Sequence, residues 1–439
     1  MAGGETTETM STKLLKVAER AKREPAGKFY TLAHLIDEAA LRRAYQRLSG
    51  AAAVGVDGVT KEQYGQNLEE KLRALHERMK TMRYRHQPLR RVHIPKEKGG
   101  TRPIGISALE DKIVQGALKE VLEAVYEQDF RDCSYGFRSG RGAHDAIRAL
   151  DGAVHRGEVN FVLEMDIVSF FDSVDRSQLD EMLRERVVDG SLLRLIGKCM
   201  HVGILEGEQY SEPEEGTAQG SVLSPLLGNI YLHHVLDRWF EDVVRPRLRG
   251  RALLVRYADD AVMGFEVRED AERVMAVLGK RMAKYGLTLH PEKTRLVPFQ
   301  RPPKAQQSGK GPGSFDFLGF TIYWRRTMKG RWEMACKTRR ARLTRAIKAV
   351  YDYCRRQRHK PMKEQHAALR SRIQGHFNYF GVNGNIRSLY VLAHHAKRAW
   401  YKWLCRRSQR ARLNWQRFED LLKMLPLPRP KVRVAIWGT

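Results

Sequence analysis

Residues 253–263 read Leu-Leu-Val-Arg-Tyr-Ala-Asp-Asp-Ala-Val-Met, two apolar runs on either side of the pair Asp259 and Asp260. Short runs rich in β-branched and aromatic residues, broken by a polar doublet, spell a strand, a tight turn and a second strand. Upstream, Phe161-Val162-Leu163-Glu164-Met165-Asp166-Ile167 has the same form, an apolar strand with an acid at its end, running into Ser169-Phe170-Phe171-Asp172. Acids at the edge of apolar strands are electrostatically unfavourable unless water or a cation compensates them. Hard divalent ions take oxygen ligands, and a pair of them can stabilise both the attacking and the leaving oxygen of a phosphoryl transfer. A Tyr-x-Asp-Asp tetrapeptide by itself is equally an ordinary turn, so its meaning depends on its company.

Working outward, residues 55–60 (Gly-Val-Asp-Gly-Val-Thr) form a glycine-bearing turn with Thr60 as a helix N-cap. Tyr64, Leu68, Leu72, Leu75, Met79 and Met82 then fall on one face of a helix over 61–82. Residues 90–106 alternate as two short strands joined by a turn bearing Lys96, Lys98 and Arg102, a basic tip available to phosphate. Residues 110–130 return to a helical period, and strands are expected at 160–165, 252–257 and 261–266. Residues 216–230, Gly-Thr-Ala-Gln-Gly-Ser-Val-Leu-Ser-Pro-Leu-Leu-Gly-Asn-Ile, make a polar loop that opens an apolar helix. Residues 300–314 read as an exposed loop, and after Trp324 the patterns are helical to about Leu425, where Pro426, Pro428 and Pro430 end them. Helices and strands without regular βαβ alternation favour an α+β fold.

The charge is unevenly placed. The chain has 439 residues and a net charge of +28, yet residues 321–439 hold 30 Lys+Arg against 5 Asp+Glu, a surplus of 25. The remaining 320 residues are nearly neutral, so one region is specialised for a polyanion. Its basic tracts (Arg325-Arg326, 337–345, Arg355-Arg356, Arg406-Arg407 and Arg410) are interleaved with aromatics such as Trp324, Trp400 and Trp403, residue types that neutralise phosphates and stack on bases. Five scattered cysteines without a CxxC pair exclude a disulfide framework and a zinc ribbon. No run reaches the 18 apolar residues of a membrane span, and the acidic N-terminus is unlike a secretory signal, so a cytoplasmic protein without a membrane partner is expected.

Taken in order, the two acidic clusters, the 216–230 loop, Gly286-Leu287-Thr288-Leu289, Pro291-Glu292-Lys293-Thr294 and Phe317-Leu318-Gly319-Phe320 resemble the motifs of reverse transcriptases, specifically the bacterial group II intron maturases. The resemblance runs from about Val54 to Trp415. It implies a right-hand polymerase: an N-terminal extension and start of the fingers over 1–85, fingers and palm over 86–325, an all-helical thumb or X domain over 326–425, and a short basic tail over 426–439. Asp166, Asp259 and Asp260 match the catalytic and metal-binding aspartates, with the Ile167 backbone carbonyl as a further ligand for two Mg²⁺ ions that Mn²⁺ can replace. Lys96 and Arg102 match residues gripping the dNTP triphosphate, Phe171 the gate against a ribose 2′-OH, and Gln219 and Gly220 the loop lying on the new base pair. Lys293 matches the lysine that protonates pyrophosphate, and Phe317, Leu318, Gly319 and Phe320 match the primer grip.

In the thumb, the resemblance and the charge together point to Arg339, Arg340, Arg355, Arg356, Phe377, Tyr379, Trp400, Arg406, Arg407 and Arg410 as RNA-binding residues. Its implied partners are group II intron RNA, an RNA template with a DNA primer, target DNA and dNTPs, and its implied activities are cDNA synthesis, splicing assistance and intron mobility. The chain shows no His-Asn-His or cysteine-pair elements after the thumb, so the compact type without a DNA endonuclease is expected. Ser224-Pro225 stands where enzymes of diversity-generating retroelements usually have Ser-Gln. The alternative is a host-adapted reverse transcriptase, used in DNA repair or phage defence, without an intron partner.

Overall fold

The computed structural model describes residues 11–436 except 96–99, 208, 212–215, 217–219, 304–311 and 408–412. Helices α1 (Thr12–Arg23), α2 (Glu38–Arg47), α3 (Lys61–Gly65) and α4 (Leu68–Lys80) precede an antiparallel hairpin, β1 (Leu89–Pro95) and β2 (Thr101–Ile106). Then come α5 (Leu109–Tyr126), α6 (Ala143–His155), β3 (Phe161–Met165), α7 (Arg176–Arg184), α8 (Gly190–Met200), and the short strands β4 (Ile204–Glu206) and β5 (Gln209–Ser211). Helix α9 (Ser224–Leu232) continues into π-helical turns over His233–Asp237 and Trp239–Val244. The hairpin β6 (Ala252–Tyr257) and β7 (Asp260–Phe265) follows, then α10 (Arg268–Ala283) and β8 (Arg295–Pro298). A second hairpin system, β9 (Ser314–Phe317), β10 (Phe320–Arg326) and β11 (Trp332–Thr338), leads into α11 (Arg340–Arg356), α12 (Met362–Phe380), α13 (Ile386–Cys405) and α14 (Trp415–Met424).

The central sheet has the order β6-β7-β3-β8, with β7 and β8 both antiparallel to β3. Side chains alternate across it because the strand period is two. Leu163, Met165, Leu254 and Met263 face a core built from α1, α2, α4, α5 and α7 to α9. Val162, Val255, Val262 and Val297 face a second core that joins α6, β9 to β11 and α11 to α14. Burial on both faces explains why these strands are apolar nearly throughout. All five cysteines are free thiols, and among the described residues no helix is long and apolar enough to cross a membrane.

Local signals set several boundaries. Asp37, Thr60, Asp175 and Asp189 each cap a helix by accepting backbone N–H groups, Thr60 in a reciprocal capping box with Gln63. Two expectations are corrected. The helix over 61–82 breaks at Asn67, which takes a left-handed conformation (φ 58°) that Asn tolerates better than most residues. Tyr64, Leu72, Leu75 and Met79 remain buried, whereas Met82, at φ 61°, is exposed. The helical pattern expected from Trp324 is strand instead: β10 runs to Arg326 and β11 begins at Trp332. Trp324, Trp332, Met334 and Cys336 enter the core at period two, not 3.6, so the helical region starts at Arg340 and a hairpin straddles the 325/326 boundary.

Asn385 ties that hairpin to the helices. It is 1 % exposed, accepts from Thr338 N at 2.9 Å, and donates to Thr338 Oγ1 and the Phe380 carbonyl, each at 2.8 Å. Asn385→Leu leaves buried polar groups unpaired and should lower the unfolding free energy by about 1–3 kcal/mol. Urea unfolding followed by tryptophan fluorescence would show it; an unchanged midpoint would refute the tie.

Candidate active site

The ladder between β3 and β7 assembles the acids. Met165 pairs with Ala261, so Asp166, one residue beyond the strand, comes opposite Asp260. Across β7, Tyr257 pairs with Asp260, leaving Ala258 and Asp259 as a two-residue turn in which Ala258 is left-handed (φ 56°). The expected strand, turn and strand therefore hold, with Asp259 in the turn and Asp260 opening the second strand. Three carboxylates sharing the end of one sheet disfavour each other's charge. Burial raises the Asp259 carboxyl, the nearby Asp166 adds to this, and Arg102 partly offsets it. Asp260 presents surface to the cleft, but the surrounding protein mass, followed by Asp259 and Asp166, pushes it up to about 6.

Lys293 reaches the same place by a different route. Ile167 bridges Leu289, His290 N donates to the Asp166 carbonyl at 2.8 Å, and the turn that follows delivers the Lys293 ammonium to Asp166 Oδ2 at 2.5 Å. Phe171 lies in a single 3₁₀ turn (Phe170–Asp172), edge-on to Phe170 at 5.1 Å between centroids. A Cβ on Gly228 would come within 3.3 Å of the Phe171 ring, so the glycine lets α9 pass closely behind it. Gly220 (φ 111°) lies on β2, where any Cβ would fall 2.5 Å from the Gly105 carbonyl. Lys96, Gln219 and Arg410 lie outside the described residues.

Phe317 and Phe320 pair across a tight turn in which Leu318 (φ 51°) and Gly319 (φ 78°) are both left-handed. Phe317, Leu318 and Phe320 are buried, so this turn offers its backbone and not its side chains. Tyr379 of α12 donates to the Leu318 carbonyl at 2.8 Å and stacks on Phe320 at 5.7 Å. Together with Asp166, Asp260, Lys293, Arg339 and Arg342, the turn lines a cleft of about 390 Å³.

The expected RNA-binding set divides. Arg340, Arg355, Arg356, Arg406 and Arg407 are exposed, whereas Arg339 is half-buried and pairs with Asp316 at 3.0 Å. Phe377 (0 % exposed) and Trp400 (1 % exposed) lie in the core of the helical region, and the Tyr379 hydroxyl is already used by Leu318. Phe377 and Trp400 brace the helices and cannot stack on bases where they stand, a correction that follows from their falling on the inward faces of α12 and α13, whereas Tyr379 is half-buried.

Two charged residues that organise the surroundings of the acids were missed from the sequence. Arg256, at an inward position of β6, binds Asp237, Asn229 and Ser134. Glu164 pairs with Arg295 and accepts Asp316 N at 2.8 Å, linking the first acidic strand to β8 and β9. A charged residue inside an otherwise apolar strand was the available signal for both.

A sheet that gathers acids beside a backbone turn and a basic helical region defines the palm of a nucleotide-polymerising enzyme. Residues 94–322 match the family described as reverse transcriptase (RNA-dependent DNA polymerase). The chain is 34 % identical over 282 residues to protein YkfC of Escherichia coli (strain K12), covering 56 % of this chain and 74 % of YkfC. It is 35 % identical over 256 residues to the group II intron-encoded protein LtrA of Lactococcus lactis subsp. cremoris, covering 58 % of this chain and 42 % of LtrA. Nuclear intron maturase 4, mitochondrial, of Arabidopsis thaliana is 33 % identical over 146 residues, which are 32 % of this chain and 17 % of that protein. The chain belongs to the reverse transcriptase family of RNA-directed DNA polymerases, with intron-encoded proteins among its relatives.

The raised Asp260 carboxyl has a consequence for stability. Its ordinary value is 3.8 and its folded value about 6, so the folded state binds the extra proton between them. The contribution is therefore fully favourable below about pH 4 and is lost as pH rises through about 6. In chelator-containing buffer, Asp260→Asn should gain Tm relative to wild type between pH 4 and 6 and hold that gain above. A pH-independent difference would contradict the assignment.

Proposed function

We propose that this protein is a group II intron-encoded reverse transcriptase that copies intron RNA into cDNA from a DNA primer and assists splicing of that RNA. The observation that carries the reading is the β3 to β7 register, which brings Asp166 opposite the pair Asp259 and Asp260. The chain spans less than half the length of LtrA, and the name of that relative supports the intron assignment. Asp166, Asp259 and the Ile167 carbonyl supply hard oxygen donors of the type Mg²⁺ takes, and the raised carboxyls of Asp259 and Asp260 mark an excess of negative charge that a divalent cation would neutralise. Among the described residues no cluster of three His, Cys, Asp or Glu forms a ready cage. Mg²⁺ is commonly held by one or two carboxylates with substrate phosphates completing its shell. Two such ions, or Mn²⁺ in their place, would when bound favour the 3′-oxygen as nucleophile and offset charge on the leaving pyrophosphate.

The chain's own residues do the rest in this reading. Arg102, together with Lys96, holds the triphosphate, and Phe171 excludes a ribose 2′-OH. Gly220 lies beneath the incoming pair. The turn 317–320 positions the primer terminus so that its 3′-OH lies in line with the α-phosphate. Lys293 exchanges its contact with Asp166 for the pyrophosphate and supplies a proton to it as it leaves. The exposed arginines of α11 and those just after α13, Arg406 and Arg407, track the phosphates of template-primer and intron RNA.

Asp259→Ala removes several kcal/mol of charge stabilisation and should cut primer extension on an RNA template by about 10³-fold or more; extension at the wild-type rate would refute the proposal. Intron splicing by the same variant should persist, since the arginine surface is untouched. RNA affinity should fall steeply with salt, and Arg355→Ala with Arg356→Ala should flatten the slope by about two counterions. A slope unchanged in the double variant would place the RNA elsewhere.

A further inference from the structure

We infer that Arg256 is a positioning residue for the catalytic turn, holding the Ala258 carbonyl and through it the orientation of Asp259. The inference rests on the roles proposed above for Asp259 and its neighbours. Arg256 is 0 % exposed, and its five N–H donors all have partners. Nε and Nη2 grip Asp237 at 2.7 and 2.6 Å, Nη2 also donates to Ser134 Oγ at 2.8 Å, and Nη1 donates to Asn229 Oδ1 at 2.9 Å and the Ala258 carbonyl at 3.0 Å. That last bond runs to the one left-handed residue of the catalytic turn, adjacent to Asp259. A left-handed alanine costs roughly 1–2 kcal/mol and persists only where its surroundings over-determine it.

The opposite side of Ala258 is constrained as well. Arg256 N donates to the Cys133 carbonyl and Tyr135 N to the Arg256 carbonyl, each at 2.8 Å, which lays residues 133–136 along the turn. A Cβ at Gly136 would fall 2.4 Å from Ala258 N, so only glycine permits this approach, and Asn229 fixes the Gly136 carbonyl at 2.7 Å. Ala258, the residue before Asp259, is thus held at its carbonyl oxygen by a guanidinium and approached closely at its nitrogen by the Gly136 backbone. Asp237 sits in the π-helical turns after α9, a winding often found at functional sites. A buried ion pair is weak grounds for stability, because well-packed apolar residues in its place are often neutral or better. Stabilisation of the core alone therefore does not account for a guanidinium whose remaining donor reaches the catalytic turn.

Single-nucleotide incorporation measured by rapid quench separates positioning from folding, since the burst rate reports geometry and the burst amplitude reports the folded fraction. Arg256→Lys keeps a charge against Asp237 but presents its donors from one point and cannot span all four partners. Its burst rate at saturating dNTP should fall about 10- to 100-fold, with dNTP affinity within about two-fold and amplitude equal to the folded fraction. The double variant Arg256→Met with Asp237→Leu removes both buried charges and should regain most of the Tm lost by Arg256→Met while keeping the slow burst. A lowered amplitude at the wild-type burst rate in Arg256→Lys, or the wild-type rate in the double variant, overturns the inference; if Arg256→Lys yields no folded protein, the double variant decides. If Asp259→Ala is inactive while these variants keep the wild-type rate, only the positioning role fails. If Asp259→Ala is active, the proposed function fails with it.

Discussion

Carboxylates brought together at the end of one sheet repel each other, and the structure depends on something strong enough to hold them there. That is the hydrogen-bonded register of β3 between β7 and β8. A one-residue slip would turn every side chain of β3 to the other face and put Met165 or Ile167 in place of the acid. Since both faces of the sheet are buried in extensive cores, such a slip is heavily penalised. Hydrophobic burial on both sides is what keeps Asp166, Asp259 and Asp260 together in spite of their charge.

The same sheet joins two electrostatically different bodies. Its first face packs on helices from a nearly neutral part of the chain, and its second on the hairpins and helices that carry the surplus of 25 positive charges. The turn at Leu318 and Gly319 is the connection. Its carbonyl is held by Tyr379 and its side chains are buried, so the cleft by the acids and the basic helices share one rigid element. Local pairs such as Arg339 with Asp316 and Arg295 with Glu164 engage cations beside the cleft, and Arg342 lies near enough to Asp260 to offset part of the raising of its carboxyl.

Much of this was legible in residues alone. The strands at Asp166 and at Asp259 and Asp260 followed from short apolar runs ended by acids, and Thr60 capped its helix as its side chain dictates. The helix over 61–82 failed at Asn67 because a left-handed residue interrupts a helix without interrupting its apolar spacing. The region after Trp324 failed because aromatic and basic residues alternate there in a way that fits either period until the partner strand is known. Phe377 and Trp400 failed for a related reason: an aromatic beside arginines reads the same whether it faces RNA or a core.

The sequence by itself determined the chemistry: which acids end apolar strands, where the positive charge collects, and the order of motifs that places the chain among reverse transcriptases. These are properties of neighbouring residues and of composition. Only the tertiary structure decided which distant residues meet: Lys293 at Asp166, Tyr379 at Leu318, and Arg256 at Asp237 and Ala258. Such contacts depend on strand register and on which side of a helix faces inward. Those are settled by the burial of the whole core, not by the spacing of residues along any one segment.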